Sequence, residues 1–371
     1  MPKQSICSEF LENHIVTPDI DKSLERSQHW LKQNIKRYAF KKLEREIIKT
    51  GVCTECGTCV ANCPVDAISG IREENKYVPT LTGKCIACGI CYEMCPRTVT
   101  LTEDLIGNYR SAWKARSVDL DNNKQDGGVV SALLYYALKE EIIDAAVAAC
   151  HSKDTPWLPE ATTFLKPDEV LKCAGTIYTH APIVGELMSA LRVGHSAVAV
   201  VGTSCNLDGI TQLQEHPGGT LNTDLRSSVL KIGLFCMESF DYNGLVDFLK
   251  TNDVDIGDVH RMAIAKGKFK VFTDESEKEW PVSDLDSFAS TSCAYCHDLT
   301  TKQSDISCGN IGSGSGWTTV LVRTERGEHL FQEAAESGII EAESLEAKPL
   351  QIIANVARSK AMRYYSMERS H

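Results

Sequence analysis

Apolar positions recur along the chain with two periods. Over residues 24–49, Leu31, Ile35, Ala39, Leu43 and Ile47 fall every four residues, which predicts a helix. Lys32, Lys36, Arg37, Lys41, Lys42 and Arg45 give that helix a basic face, either solvated or available to a partner protein. The same period predicts helices over 128–140, 182–192, 242–250 and 328–336, the last capped by Gly338, and over 350–368. Short apolar runs predict strands at 145–149, 197–201 and 232–236. Helices and strands alternating in this way predict a mixed α+β or α/β fold for the larger part of the chain. Four segments are expected: a helical extension over 1–50, a compact unit over 51–103, a large unit over 111–345, and a C-terminal helical tail over 346–371.

Bulk composition narrows the class. With 371 residues, two or three units are expected at roughly 150 residues each. A net charge of -11 does not invite nucleic acid or an anionic membrane. No apolar run reaches the length of a membrane-spanning helix. The opening MPKQSICSEF lacks the basic start and apolar core of a signal peptide, so a cytoplasmic location is expected. Sixteen cysteines in such a chain point to metal ligands and not to disulfides.

Eight of those cysteines fix a chemistry. Cys53, Cys56, Cys59 and Cys63, then Cys85, Cys88, Cys91 and Cys95, repeat C-x2-C-x2-C-x3-C, each followed by proline. This is the run of two-cluster ferredoxins, in which the fourth cysteine of one copy ligates the other cluster. Cys53, Cys56, Cys59 and Cys95 are therefore expected to hold one [4Fe-4S] cluster, and Cys85, Cys88, Cys91 and Cys63 the second. Gly57 and Gly89 allow the loop to turn around inorganic sulfide. Zinc is the alternative, but zinc sites pair two C-x2-C units across a longer gap.

The remaining signals are weaker as spacing. Cys205 follows one predicted strand, Cys236 ends another, and Cys293 and Cys296 form a C-x2-C. Together they can supply four thiolates, although strand-end cysteines also serve as small buried apolar groups. Gly127 and Gly128 open a predicted helix, where free backbone N–H groups suit anions. Gly309, Gly312, Gly314 and Gly316 precede a strand, and Lys266 and Lys268 flank a glycine. None of these is a Rossmann fingerprint or a phosphate-binding P-loop, and ordinary turns explain them equally well.

From Lys114 onward the chain resembles the β subunit of the coenzyme F420-reducing hydrogenase and its relatives in formate and respiratory dehydrogenases. The segments that carry the likeness are KARSVDLDNNKQDGGVVSALLYYAL, EVLKCAGTIYTHAP, KIGLFCMESFDY, IAKGKFKVFT and CAYCHDLTTKQSDISCGNIGSGSGWTTVLVRTERG. A ferredoxin unit in front is similar to the arrangement in the F420-dependent sulfite reductase. The resemblance implies a flavin-binding domain with FAD, coenzyme F420 as hydride partner, and a third [4Fe-4S] cluster on Cys205, Cys236, Cys293 and Cys296. Ser204-Cys205-Asn206 stands where the family often has Pro-Cys-Gln, and Cys308 is read as structural. Gly127, Gly128, Val129, Ser131, Gly175, Thr176, Tyr178, Lys266, Lys268, Gly309, Asn310, Gly312, Gly316 and Thr318 are the expected cofactor contacts. No general acid or base is assigned.

The resemblance implies a coenzyme F420 oxidoreductase that exchanges hydride with FAD and passes single electrons through three clusters. The downstream partner would be a redox protein such as a heterodisulfide reductase, hydrogenase or respiratory dehydrogenase. Two alternatives stay open: a non-catalytic iron–sulfur adaptor, and a family member that reduces a different substrate such as a chlorophyll-type pigment.

Overall fold

The computed structural model describes residues 38–51, 53–73, 76–98, 105–118, 120, 125–222 and 229–366. The chain divides into two compact units, Met1–Thr100 and Leu101–His371. Of the helix expected over 24–49, the part before residue 38 lies outside the described residues, as do Lys32, Lys36 and Arg37.

In the first unit, helix α1 (Phe40–Leu43) widens into a π-helical turn, Glu44–Ile48. Phe40, Leu43 and Ile47 are buried, as the four-residue period requires. The opposite side is tied down as well. The Tyr92 hydroxyl donates to Glu46 at 2.6 Å, and Lys42 Nζ lies 3.7 and 4.4 Å over the rings of Tyr38 and Tyr92. The described part of this helix therefore packs on its own unit. Helix α2 (Thr58–Ala61), the antiparallel pair β1 (Ile68–Glu73) and β2 (Lys76–Leu81), and helix α3 (Ile90–Glu93) complete the unit. The sequence repeat is a backbone repeat. Glu55 and Ala87, one residue before the second cysteine of each copy, share a left-handed φ of 57° and 53°. Gly57 and Gly89, one residue after it, have φ of 77° and 87° and begin the two short helices.

The larger unit runs β3 (Ser111–Ser117), α4 (Val129–Lys139), β4 (Ala145–His151), β5 (Pro159–Phe164), α5 (Pro167–Leu171), α6 (Ile183–Arg192), β6 (Val198–Gly202), α7 (Ser204–Glu215), β7 (Val229–Leu234) and α8 (Tyr242–Thr251). Strands β8 (Val259–Ala265), β9 (Lys268–Thr273) and β10 (Glu277–Pro281) follow, then β11 (Ile306–Gly309), β12 (Thr318–Val322), α9 (Glu325–Glu336), β13 (Ile340–Ser344) and α10 (Ala347–Ser366). Eight strands form one sheet in the order β13-β3-β12-β11-β7-β6-β4-β5. Its centre, β4, β6, β7 and β11, is parallel and its flanks are antiparallel.

The sheet is covered on both faces, which is why its central strands read as continuous apolar runs. All of β6, VAVVG, is buried. Ala199 and Val201 join Leu133 of α4 and Phe331 of α9 in one core, while Val198 and Val200 join Leu187 of α6 and Ile210 of α7 in another. The two-residue alternation of a strand deals these side chains to opposite faces.

Three features depart from the sequence expectation. The first is a separate antiparallel sheet, β10-β9-β8, packed with α8 around Phe269, Met262, Leu245 and Leu249. Its β8–β9 turn is Lys266-Gly267, with φ of 52° and 75°, a two-residue hairpin turn that matches the twist of the strands. The second is α10. Ile353, Ala354 and Ala357 on it are fully buried, so it is part of the larger unit and not an appended tail. The third is a disulfide between Cys150, on β4, and Cys173, after α5, with Cα atoms 5.0 Å apart. The expectation that no cysteine is spent on a disulfide is thereby corrected: β4 and the α5 turn bring these two within bridging distance.

Candidate metal centres and cofactor cradle

A cavity in the first unit is lined by Cys53, Cys56, Cys59 and Cys95, with Leu43, Ile47 and Pro79 as its apolar walls. Three of the cysteines come from the first copy of the repeat and the fourth from the second. Around the second copy, Cys91 lies in the electrostatic field of Cys88, of Cys59 from the first copy, and of Cys85 and Cys63. Burial, then the neighbouring thiols Cys95 and Cys53, push Cys59 up to about 11; burial and Cys88 push Cys91 up to about 12. Backbone N–H groups already point at sulfur: Ala67 N donates to Cys63 Sγ at 3.2 Å and Ala87 N to Cys85 Sγ at 3.3 Å. Such donors favour thiolate and are one determinant of a cluster's potential.

Among the described residues, no group of three or more His, Cys, Asp or Glu side chains closes on a single ion. A cubane spreads four thiolates over four irons, so its ligands do not converge on one point.

A second gathering lies in the larger unit, beyond the carboxyl ends of parallel strands β6 and β7. Open α/β sheets place ligands at such ends. Cys205 sits in the first turn of α7, Cys236 just after β7, and Cys293 and Cys296 at a short turn, Thr291–Tyr295. Cys236 lies in the field of Cys293, Cys205 and Cys296, and burial pushes it up to about 12. His180, to which the sequence alone gives no role, interacts with the thiols of Cys205 and then Cys293, which raise it to about 10. Asn206 caps α7: its Oδ1 accepts from Thr203 N at 3.2 Å, and Thr203 Oγ1 lies 3.3 Å from Cys205 Sγ. Cys308 is core, 1% exposed in β11.

The other expected contacts divide. Asp126, half-buried, hydrogen-bonds Asn310 and feels Arg261 of β8; Tyr178 lies in the field of both Asp126 and Arg261. Burial raises the Asp126 carboxyl, and it also raises Tyr178, whose hydroxyl accepts from Ile264 N at 2.8 Å. The loop before α4, the loop after β11 and the segment 175–178 thus meet at the small sheet. Asp126 itself was not expected. Thr179 Oγ1, next to Tyr178 in the chain, and His151 Nδ1, whose ring packs edge-on against Trp157, are buried with no hydrogen-bond partner among the described residues. Unsatisfied buried groups of this kind are what a bound polar molecule satisfies. Thr176 and Gly175 lie on the same segment, and a side chain at Gly175 would meet open space. Gly312 and Gly316 lie in the turn between β11 and β12.

Several expected contacts have duties inside the protein. A Cβ on Gly127 would lie 2.5 Å from Ala115 O and 2.7 Å from Thr318 N, and Gly127 N donates to Thr318 Oγ1 at 3.2 Å. A Cβ on Gly309 would strike the Phe235 ring at 2.3 Å. Val129 is core, and Gly128 and Ser131 belong to the start of α4. Lys266 is a turn residue, and Lys268 is ion-paired with Glu279 across β9 and β10.

Residues 112–188 and 195–348 match the two models of the coenzyme F420 hydrogenase/dehydrogenase beta subunit, N-terminal and C-terminal, and residues 34–100 match a 4Fe-4S dicluster domain. The coenzyme F420 hydrogenase subunit beta of Methanothermobacter thermautotrophicus is 35% identical over 246 residues, 65% of this chain and 87% of the relative. The chain belongs to the family of coenzyme F420 hydrogenase/dehydrogenase beta subunits. Within that family, a subunit of the F(420)H(2) dehydrogenase of Methanosarcina mazei is 33% identical over 298 residues, 77% of this chain and 83% of the relative. A chain of the F420-reducing [NiFe] hydrogenase complex from Methanosarcina barkeri superposes with a TM-score of 0.66 at 32% identity, covering 70% of this chain and 91% of that one. In this family member the cysteine gathering falls within the C-terminal match, whereas α10 beyond residue 348 lies outside it.

Proposed function

We propose that this chain is a coenzyme F420-dependent oxidoreductase subunit. Its larger unit exchanges hydride between coenzyme F420 and FAD, and three [4Fe-4S] clusters carry single electrons to or from a partner protein. The gathering of Cys205, Cys236, Cys293 and Cys296 carries this reading, because it adds a third four-thiol set to the eight of the ferredoxin repeat. FAD supplies the conversion between a two-electron hydride and single electrons.

The residues of the chain bind, orient and exclude water. Asp126, Asn310, Tyr178 and Arg261 draw three loops together at the edge of the small sheet. Thr179, next to Tyr178 in the chain, offers a buried hydroxyl without a partner among the described residues. Cys59 and Cys91 are the buried members of the two front sets. Hydrogen bonds from His180 hold two thiols of this set low, Cys205 at the N-terminus of α7 and Cys293, and so favour their thiolates. The partner is a redox protein of the kind found in heterodisulfide reductase, hydrogenase or respiratory dehydrogenase complexes. Among the described residues, no helix is long and apolar enough to cross a membrane.

Anaerobic mixing tests the reading. Reduced coenzyme F420 is expected to bleach the flavin absorbance of the purified protein, and NADH is not. Protein purified without flavin that cannot be loaded with it would favour the non-catalytic adaptor. Bleaching by NADH at the same rate would change the hydride donor.

A further inference from the structure

Lys360, in the middle of α10, is 1% exposed. Its ammonium donates to two backbone carbonyls, Cys236 O at 2.6 Å and Asp298 O at 2.8 Å. It forms no ion pair among the described residues. The carboxylate of Asp298 is turned away, accepting from Thr300 N and Thr301 N at 3.0 Å and from Lys302 N at 2.8 Å. The other carboxyl that shares the field of Lys360, Asp208, is itself disfavoured as an anion by burial. A lysine is almost never fully buried unless it is paired, because two neutral carbonyls replace only part of the water an ammonium gives up.

The missing counter-charge is one step away. Both carbonyls belong to the segments that carry thiols. Cys236 is itself in the set, and Asp298 O also faces Cys296 Sγ at 3.6 Å. The charge of Lys360 acts on the thiols of Cys236 and Cys293. Four thiolates around a cubane make a net anion, and reduction adds a further negative charge. A buried cation beside them favours the reduced form, and net charge is among the factors that set a cluster's potential. Arg363, one turn on, holds the same loop: it donates to Glu238 at 2.6 Å and to Met237 O at 2.9 Å. Two cations from one helix thus brace the chain from Cys236 to Glu238, and both lie beyond the segment matched by the family model.

We propose that Lys360 is the counter-ion of the cluster on Cys205, Cys236, Cys293 and Cys296, and that it raises that cluster's reduction potential. Lys360 is a positioning and field residue, not a ligand. The inference rests on the third cluster proposed above.

The test is a potentiometric titration of the full-length protein followed by EPR. The signal of the third cluster is defined as the one that Cys293→Ser removes. If Cys293→Ser removes none, the cluster reading fails and the Lys360 proposal falls with it. With the signal defined, Lys360→Met deletes charge and donors, and Lys360→Gln deletes charge but keeps an amide donor. Both are expected to retain the signal and to lower its potential, so that the ratio of reduced to oxidised cluster at the wild-type midpoint falls about tenfold, 59 mV for a one-electron couple. The two front clusters are expected to stay where they were. Lys360→Arg, which keeps the charge, is expected to restore most of the shift. Either neutral variant holding the cluster at the wild-type potential overturns the proposal. So does loss of the third signal from both neutral variants, since Lys360 would then be scaffold only.

Discussion

The phenol oxygen of Tyr178 accepts a hydrogen bond from the backbone N–H of Ile264 at 2.8 Å, fastening the segment that follows the disulfide to the first strand of the small sheet. Tyr178→Phe leaves that partly buried N–H without its acceptor, at a cost of about 1–3 kcal/mol. The expected result is a melting temperature lower by several degrees in cofactor-free protein, together with weaker retention of FAD on gel filtration. An unchanged melting temperature would mean that the bond contributes nothing to joining the two pieces.

Gly127→Ala separates packing from cofactor contact. The added methyl group meets Ala115 O and Thr318 N, both backbone atoms that cannot swing aside. Overpacking of this kind costs about 1–3 kcal/mol, so cofactor-free protein is expected to melt earlier. Gly316→Ala faces open space and strains only its own backbone, at φ 77°, by about 1 kcal/mol. Differential scanning of both cofactor-free variants checks the order. If Gly127→Ala melts with the wild type and fails only in flavin binding, its glycine serves the cofactor instead.

Iron counting tests the ligand sets. Anaerobically purified protein is expected to hold about twelve irons per chain, and Cys293→Ser about eight. A count near eight that Cys293→Ser leaves unchanged removes the third cluster. Stoichiometric zinc would remove all three.

The two ends of the proposed route can be uncoupled. Cys56→Ser with Cys88→Ser damages both front clusters while leaving the larger unit intact. Reduced coenzyme F420 is expected to bleach the FAD of this double variant at the wild-type rate, whereas transfer to a one-electron protein partner collapses. A double variant that is folded but cannot reduce its flavin would place the front clusters upstream of it.

How much of this was legible depends on how local each signal is. The ferredoxin repeat packs four cysteines into eleven residues, twice, so the loops follow from short-range spacing. The parallel core was readable because strands buried on both faces, such as VAVVG of β6, are apolar throughout. The small sheet was missed because β8 to β10 alternate with charged residues, and lysines in AKGKFKV suggest anion binding as readily as a hairpin turn. His180, Asp126 and Lys360 carried no signal at all. Each acquires its role from a partner far away in sequence, Lys360 from a carbonyl 124 positions earlier. The Cys150–Cys173 bridge was hidden for a similar reason: the count of cysteines pointed to metal, and only the strand and turn geometry separates two of them from the rest.

Helix α10 also sets an order in time. Cys205, Cys236, Cys293 and Cys296 leave the ribosome before Lys360 and Arg363 do. Until those two cations arrive, the segment from Cys236 to Glu238 lacks the contacts that they make. A chain cut short before α10 is therefore expected to keep its ferredoxin unit whole and to lose the contacts that this helix makes to the Cys236 loop.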